Sequence, residues 1–319
     1  MVDPRPATDA PLDVLEGLLQ DMRRKLELRD EAPSGAWVER SAGALRAGRQ
    51  AGWFLPDGAG LALVSVRDAD AFGHVHVGPG PGAVERAERL ATILLGALPA
   101  PVQTAAVGFT GLAVEDERAV LATLAQRKGS TLIGRRAMER ALGPEDGAPV
   151  GAPPAELRFV PIRAVTIESL AELDARAFAG SVDAMLVGSD PAHYREVLGT
   201  VLGGELGLFL DEASTALYRP DPPRLYAALL STERSARRAV FVDFMVDPEF
   251  RHRGLGTFLL RWGLRALWAL GYARVRLWVS DENLPARRLY EAHGFRATAT
   301  AVIYRWSRTA EDPHAHPDR

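Results

Sequence analysis

The 319-residue chain has no cysteine. Disulfides, a thiolate zinc site and a cysteine acyl-enzyme intermediate are therefore excluded. Lysine is scarce as well: only Lys25 and Lys128 occur, and arginine supplies the remaining positive charge. A basic excess is also missing, since the formal net charge is -3 and the sequence pI about 6.2. Such a chain has no general attraction to nucleic acid or to anionic membranes. No apolar run approaches the length of a membrane span, and Met1 to Asp9 lack the apolar core of a secretion signal. A cytoplasmic protein is expected. A P-loop, Gly-x-x-x-x-Gly-Lys followed by Ser or Thr, is absent too.

What is present centres on Phe244 to Thr257. Ala239 to Val246 is an apolar, β-rich run of strand length, ended by Asp247-Pro248 because proline cannot donate to a ladder. After the turn, Leu255, Phe258, Leu259, Trp262, Ala266 and Ala269 recur at helical spacing. The turn Arg251-His252-Arg253-Gly254-Leu255-Gly256-Thr257 therefore lies at a helix N-terminus. Its glycines allow close backbone approach, its first-turn N–H groups are unpaired, and its arginines add charge, so a diphosphate fits. Gly254-Leu-Gly256 is not followed by the third glycine of a dinucleotide-binding turn.

Arg-x-x-Gly-x-Gly between a strand and a helix, preceded by Val246-Asp-Pro-Glu249, resembles the acetyl-CoA-binding motif of the GNAT acyltransferase superfamily. Downstream, Asn283-Leu-Pro-Ala286-Arg-Arg-Leu289-Tyr290-Glu-Ala-His-Gly294-Phe295 resembles that family's second motif. The resemblance implies tandem α/β (α+β) domains, each a mixed, mostly antiparallel twisted sheet flanked by helices. The tandem arrangement is similar to that of the mycothiol synthase group. Acetyl-CoA is the implied cosubstrate, with no metal. It would be held by Phe244, Met245, Val246, the turn from Arg251 to Thr257, Asn283 and Ala286. The resemblance also makes Tyr290 the general acid for the leaving thiolate.

The general base is less plain. Relatives carry glutamate where this chain has Val240, Val242 or Trp278. Asp243 is the one acid on the central strand before the turn, and simple alternation puts it on the wrong face unless a bulge changes the register. A water chain or an acid from the loop between Ser181 and His193 competes with it. In the resembled family that loop and its flanking helices cover the acceptor, which points to Asp183, Asp190, His193 and Tyr194 as contacts.

The N-terminal half reads as a repeat. An amphipathic helix from Pro11 to Leu28 precedes strands at 52–55, 61–66 and 72–77, a helix at 83–98, a strand at 102–109, a helix at 115–126 and a strand near Thr131. Where the C-terminal half has its arginine turn, this half has Val77-Gly-Pro-Gly-Pro-Gly82, without arginine and with two prolines that offer no N–H. Aligning Gly129 with Gly294 puts Ala125 in the place of Tyr290. Residues 1–142 are therefore expected to form a degenerate, non-catalytic GNAT-like domain. A Pro/Gly-rich linker at 143–156, a catalytic domain at 157–308 and a disordered tail at 309–319 follow. His74 and His76 share a strand face and read as polar residues on a solvated face rather than metal ligands.

The expected function is direct N-acetyl transfer from acetyl-CoA to an amine of a small molecule or peptide. The alternative is a non-catalytic acyl-CoA-binding sensor or regulatory module, kept open by the missing strand glutamate. Neither the acceptor nor the oligomeric state is legible at this level.

Overall fold

The computed structural model describes residues 3–27, 36–67, 69–187, 191–235 and 237–308, with backbone alone at 185, 187 and 191–193. The expected tail at 309–319 and Asp190 lie outside them. The chain divides into two compact units, Met1–Ile133 with Val302–Arg319, and Gly134–Ala301.

The first unit runs β1 (Arg5–Pro6), α1 (Leu12–Glu27), α2 (Ala36–Arg46), β2 (Ala51–Phe54), β3 (Gly60–Arg67), β4 (Asp70–Val77), α3 (Ala83–Gly96), β5 (Thr104–Thr110) and α4 (Val114–Leu124). Helix α2 carries no motif and was not expected; Val38, Ala42 and Leu45 at helical spacing bury it against α1. Strands β1 to β4 pair antiparallel in order, and β4 pairs parallel with β5 from Asp70↔Thr104 to His76↔Thr110. The main core lies between this sheet and α3 and α4, with Leu90, Leu94, Val107 and Leu124 at its centre.

Strand β6 (Ser130–Ala141) begins in the first unit and ends in the second. There follow β7 (Arg158–Val160), α5 (Ile167–Phe178), α6 (Ala184–Val187), α7 (Pro191–Leu202), β8 (Leu208–Phe209), β9 (Thr215–Pro220), β10 (Pro223–Ser235), β11 (Arg238–Val246), α8 (Leu255–Ala269), β12 (Arg274–Ser280), α9 (Leu284–Ala292) and β13 (Arg296–Ser307). Two cores flank the sheet. Helix α8 packs on one face through Leu255, Leu259, Leu260, Leu264 and Leu267, while α5 and α7 pack on the other through Leu170, Leu173, Tyr194 and Leu198. Gly263 sets how closely α8 approaches, since a Cβ there would meet Leu229 at 2.3 Å and Phe241 at 3.1 Å.

Unit boundaries differ from the sequence reading in two places. Residues Gly134–Ala141 of β6 pair with β12 in the second unit, whereas the end of β13 pairs with β5 in the first, Tyr304↔Val107 to Ser307↔Thr104. Tyr304 and Trp306 are buried in the first unit's core. Segment 143–156 is not a free linker either: Pro144–Gly147 forms a 3-10 turn in which buried Asp146 binds Arg140 at 2.6 Å and caps the Gly143 N–H at 2.9 Å. A composition rule registers proline and glycine but not an acid with a buried partner.

Candidate active site

The site grows out of β11 and its irregular ladder. Pairing with β10 runs Ala227↔Val246 to Leu230↔Asp243, then shifts to Ser231↔Phe241, so Val242 is an extra residue, a β-bulge. The bulge breaks the alternation: Ala239, Phe241, Phe244 and Val246 face α8, while Val242 and Met245 face the core under α5 and α7. Asp243 is thereby turned toward α5, where it meets Asp174. The register change that Asp243 needed is present.

On its other edge β11 pairs parallel with β12 only at Arg238↔Arg274, Ala239↔Val275 and Val240↔Arg276; among the described residues the ladder ends there. The Asp247 N–H bonds the Tyr226 carbonyl at 2.8 Å. Hydrogen-bonded pairs alternate in an antiparallel ladder, so Asp247, Met245 and Asp243 turn their backbone groups to β10, and Val246 and Phe244 turn theirs to the opened side. An extended polar chain can pair with that edge. Of the three strand residues expected to hold the donor, Phe244 and Val246 have this orientation; Met245 is committed to β10 and its side chain is fully buried.

Beyond the strand, Asp247 pins the turn. Its carboxylate is buried, accepts from Arg176 Nε at 2.9 Å and Arg224 Nη2 at 2.7 Å, and caps the Glu249 N–H at 3.0 Å. Burial pushes its pKa up, but the Glu249 N–H and the two arginines outweigh burial and hold it below the usual value. Gly254 then initiates α8 with φ 80°, a left-handed conformation costly for any residue with a Cβ. Arg251, His252, Arg253 and Thr257 are exposed around it, with Gly256 half-buried behind. A guanidinium nitrogen of Arg251 donates to the Ala177 carbonyl, and the Arg253 guanidinium lies 5.5 Å from the Phe250 ring centre.

Helix α9 delivers the second motif. Asn283 caps it, Oδ1 accepting from the Ala286 N–H at 3.3 Å, while Nδ2 donates to Asp183 at 2.8 Å. Asp183 also accepts from Ser280 Oγ at 2.5 Å, which ties the loop after α5 to the start of α9. The expected acceptor-contact residue Asp183 is thus in the site. Tyr194 is instead buried in the core under α7, and the side chain of His193 lies outside the described residues.

Tyr290, two turns along α9, is buried edge-on to Phe244 with ring centres 6.0 Å apart and packs on Phe295 at 5.8 Å. Burial, then the charges of Asp183 and Asp243, push its pKa up, so the phenol keeps its proton at neutral pH. Asp174 and Asp243 are both raised. For Asp174 the causes are burial, then the charge and hydrogen bond of Asp243. For Asp243 burial leads, opposed by the Phe244 N–H and the Asp174 hydrogen bond and assisted by the Asp183 charge. Asp174 is buried more deeply than Asp243 and its Oδ1 has no hydrogen-bond partner. We therefore read it as the protonated member, donating to Asp243. The pair can accept a proton near neutrality while Tyr290 can give one.

Sequence reasoning missed Asp174. The signal existed: it sits on the apolar stripe of α5, among Leu170, Leu173 and Ala177, where an acid is out of place.

Residues 197–295 match the model of the acetyltransferase (GNAT) family. The chain is 35% identical over 133 residues to a mycothiol acetyltransferase of Clavibacter sepedonicus, covering 42% of this chain and 40% of that protein. It is 33% identical over 152 residues to one of Clavibacter michiganensis subsp. michiganensis, covering 48% and 46%. The chain thus spans less than half the length of these curated relatives. Among solved structures, a tandem GNAT protein from the clavulanic acid biosynthesis pathway superimposes with TM-score 0.59 at 16% identity, over 98% of this chain and 99% of that one. A GCN5-related N-acetyltransferase from Sphaerobacter thermophilus gives 0.56 at 17%, over 99% and 98%. Residues 197–295 of the C-terminal unit are thus similar to the GNAT family, and the chain has the fold of tandem GNAT structures.

Proposed function

We propose that the C-terminal unit transfers an acetyl group from acetyl-CoA directly to an amine of a small molecule or peptide. The observation that carries this reading is the parting of β11 from β12 after Val240, with a proton donor and a carboxyl pair beside the gap. Acetyl-CoA supplies the activated acyl carbon. The Phe244 carbonyl and the backbone groups of Val246 pair with its extended arm, the Phe244 N–H being held by the Asp243 carboxylate, and the turn from Arg251 to Thr257 takes the diphosphate at the N-terminus of α8. The Asp243–Asp174 pair takes the proton of the incoming ammonium, leaving a neutral nitrogen to attack. A C–N bond forms, the C–S bond breaks, the Tyr290 hydroxyl protonates the departing thiolate, and the second proton shed by the attacking nitrogen restores the Tyr290 phenol. No covalent enzyme intermediate is needed.

Continuous pairing of β4 with β5 supports a different status for the N-terminal unit. The ladder there stays closed through His76↔Thr110, so the equivalent edge is occupied by protein, and we assign that unit no acetyl transfer. The relatives' name makes an acceptor of the mycothiol kind one member of the panel to be tried.

Free-thiol release from acetyl-CoA, measured with the full chain against amino sugars, polyamines, amino acids and peptides, tests the reading. Release dependent on one amine class, and lost in Tyr290→Phe, is expected. Tight CoA binding with no release from any amine would overturn it in favour of an acyl-CoA sensor.

A further inference from the structure

One face of β12 is apolar and the other is not. Val275, Leu277 and Val279 join the core under α8, so alternation puts Arg274, Arg276, Trp278 and Ser280 together on the opposite face. At one end of this row the Ser280 hydroxyl binds Asp183, whose charge acts on Asp243 and Tyr290. At the other end stands a group of arginines.

Three guanidiniums converge there on one buried carboxylate. Glu139 on β6 accepts from Arg274 Nη1 at 2.8 Å, and its Oε2 lies 3.5 Å from Arg276 Nε and 3.7 Å from Arg238 Nε. Sheet stability does not favour this arrangement. Arg238 and Arg274 are directly opposite each other in the ladder between β11 and β12, and like charges so placed are destabilising. The arginines also differ in access. The Arg276 side chain is 11% exposed and reaches Thr298 Oγ1 at 3.5 Å, whereas that of Arg274 is 56% exposed and gives Glu139 a single nitrogen. Glu139 thus fixes one side of the Arg274 fork and leaves the rest toward solvent, where a planar guanidinium matches a second carboxylate.

The spacing limits what could reach both ends. Arg274 is level with Arg238, and Asp243 minus Arg238 is five residues, of which Val242 is the bulge residue. About four strand steps of ~3.3 Å, roughly 13 Å, therefore separate the arginine from the carboxyl pair at the level of the backbone. The arginine side chain spans part of that gap, and half-buried Trp278 lies on the same face between the two ends.

We infer that the acceptor is an amine that also carries a carboxylate, either an amino acid with a terminal amine or a short peptide. Its nitrogen sits at the Asp243–Asp174 pair, its stem along Trp278 and its carboxylate on Arg274. The part played by the amine rests on the acetyl-transfer reading; the carboxylate seat on Arg274 does not.

Hexylamine, 6-aminohexanoate and 1,6-diaminohexane share one stem and differ only at the far end. With the full chain and saturating acetyl-CoA, kcat/KM from free-thiol release should favour 6-aminohexanoate over hexylamine about fivefold, the size of one partly exposed charge pair. Arg274→Gln should erase that preference. Arg274→Glu should turn it toward 1,6-diaminohexane, an inversion that loss of a purely structural ion pair does not produce. Isothermal titration of the CoA complex with the same three amines keeps the two readings apart. Absence of thiol release from every amine, with 6-aminohexanoate still bound more tightly than hexylamine through Arg274, would overturn acetyl transfer and leave the seat standing. Equal affinity for 6-aminohexanoate and hexylamine, or a preference unchanged in Arg274→Gln, would overturn the proposal.

Discussion

A phenol kept protonated by its burial, and then by two neighbouring acids, is a proton donor with one removable atom. Tyr290→Phe keeps the ring against Phe244 and Phe295, so its effect falls on chemistry rather than packing. We expect kcat to fall about 10- to 1000-fold with CoA affinity nearly unchanged, read by steady-state kinetics and CoA titration. The carboxyl pair makes a prediction in pH. Asp243 is raised above the ordinary carboxylate value of ~4, and the hydrogen bond from Asp174 holds it lower than burial alone would. Asp174→Ala removes that hydrogen bond, so the acidic limb of kcat/KM should move to higher pH, with activity lost near neutrality and recovered in alkali. Asp174→Asn keeps a donor and should move the limb less. Identical limbs in wild type and Asp174→Ala would remove the pair from the mechanism. The place of Tyr290 on its helix was legible in the sequence because its motif is local. Asp174 was not read as part of the site, because its partner lies on a strand 69 residues away by number, Asp243 minus Asp174.

At the scale of elements, the strand–turn–helix from Arg238 to Ala269 was readable with little error. Its signals are short-range: β-rich run, proline stop, glycine turn, helical period. The turn makes a prediction of its own. Gly254 sits at φ 80° in open space, so a side chain meets no clash and only the backbone conformation resists it. Gly254→Val should relax the turn away from that conformation and misdirect the first N–H groups of α8. We expect CoA to bind about tenfold more weakly, on the order of the tenfold per 1.4 kcal/mol relation, for a backbone cost of about 1–2 kcal/mol. Isothermal titration with CoA checks this, and an unchanged affinity would show that the turn does not hold the diphosphate. The bulge at Val242 is an element-scale feature that residue types do not announce. It shows only in the register of β11 against β10, a strand elsewhere in the chain.

At the scale of the molecule, the chain does not divide at a linker. The first unit is completed by the end of β13, where Tyr304 is fully buried and its hydroxyl lies 2.7 Å from Ser130 Oγ. Tyr304→Ala should therefore destabilise the N-terminal unit by about 3–5 kcal/mol, as aromatic-to-alanine changes in cores do. Hydrogen exchange is the readout: β5 amides should lose protection while those of α8 keep theirs. Loss confined to the C-terminal unit would contradict the assignment of Val302–Ser307 to the first sheet.

The sequence by itself determined the family resemblance, the glycine- and arginine-bearing turn before α8, the place of Tyr290 on α9 and the order of most elements, because each depends on residues close together in the chain. Tertiary structure alone decided the rest. Whether Asp243 faces the site depended on a register shift against β10, its proton affinity on a carboxyl from α5, the burial of His76 on α1, and the unit boundary on where β6 and β13 find partners. Register, burial and strand pairing are properties of contacts between distant residues, and periodicity within one segment carries no record of them.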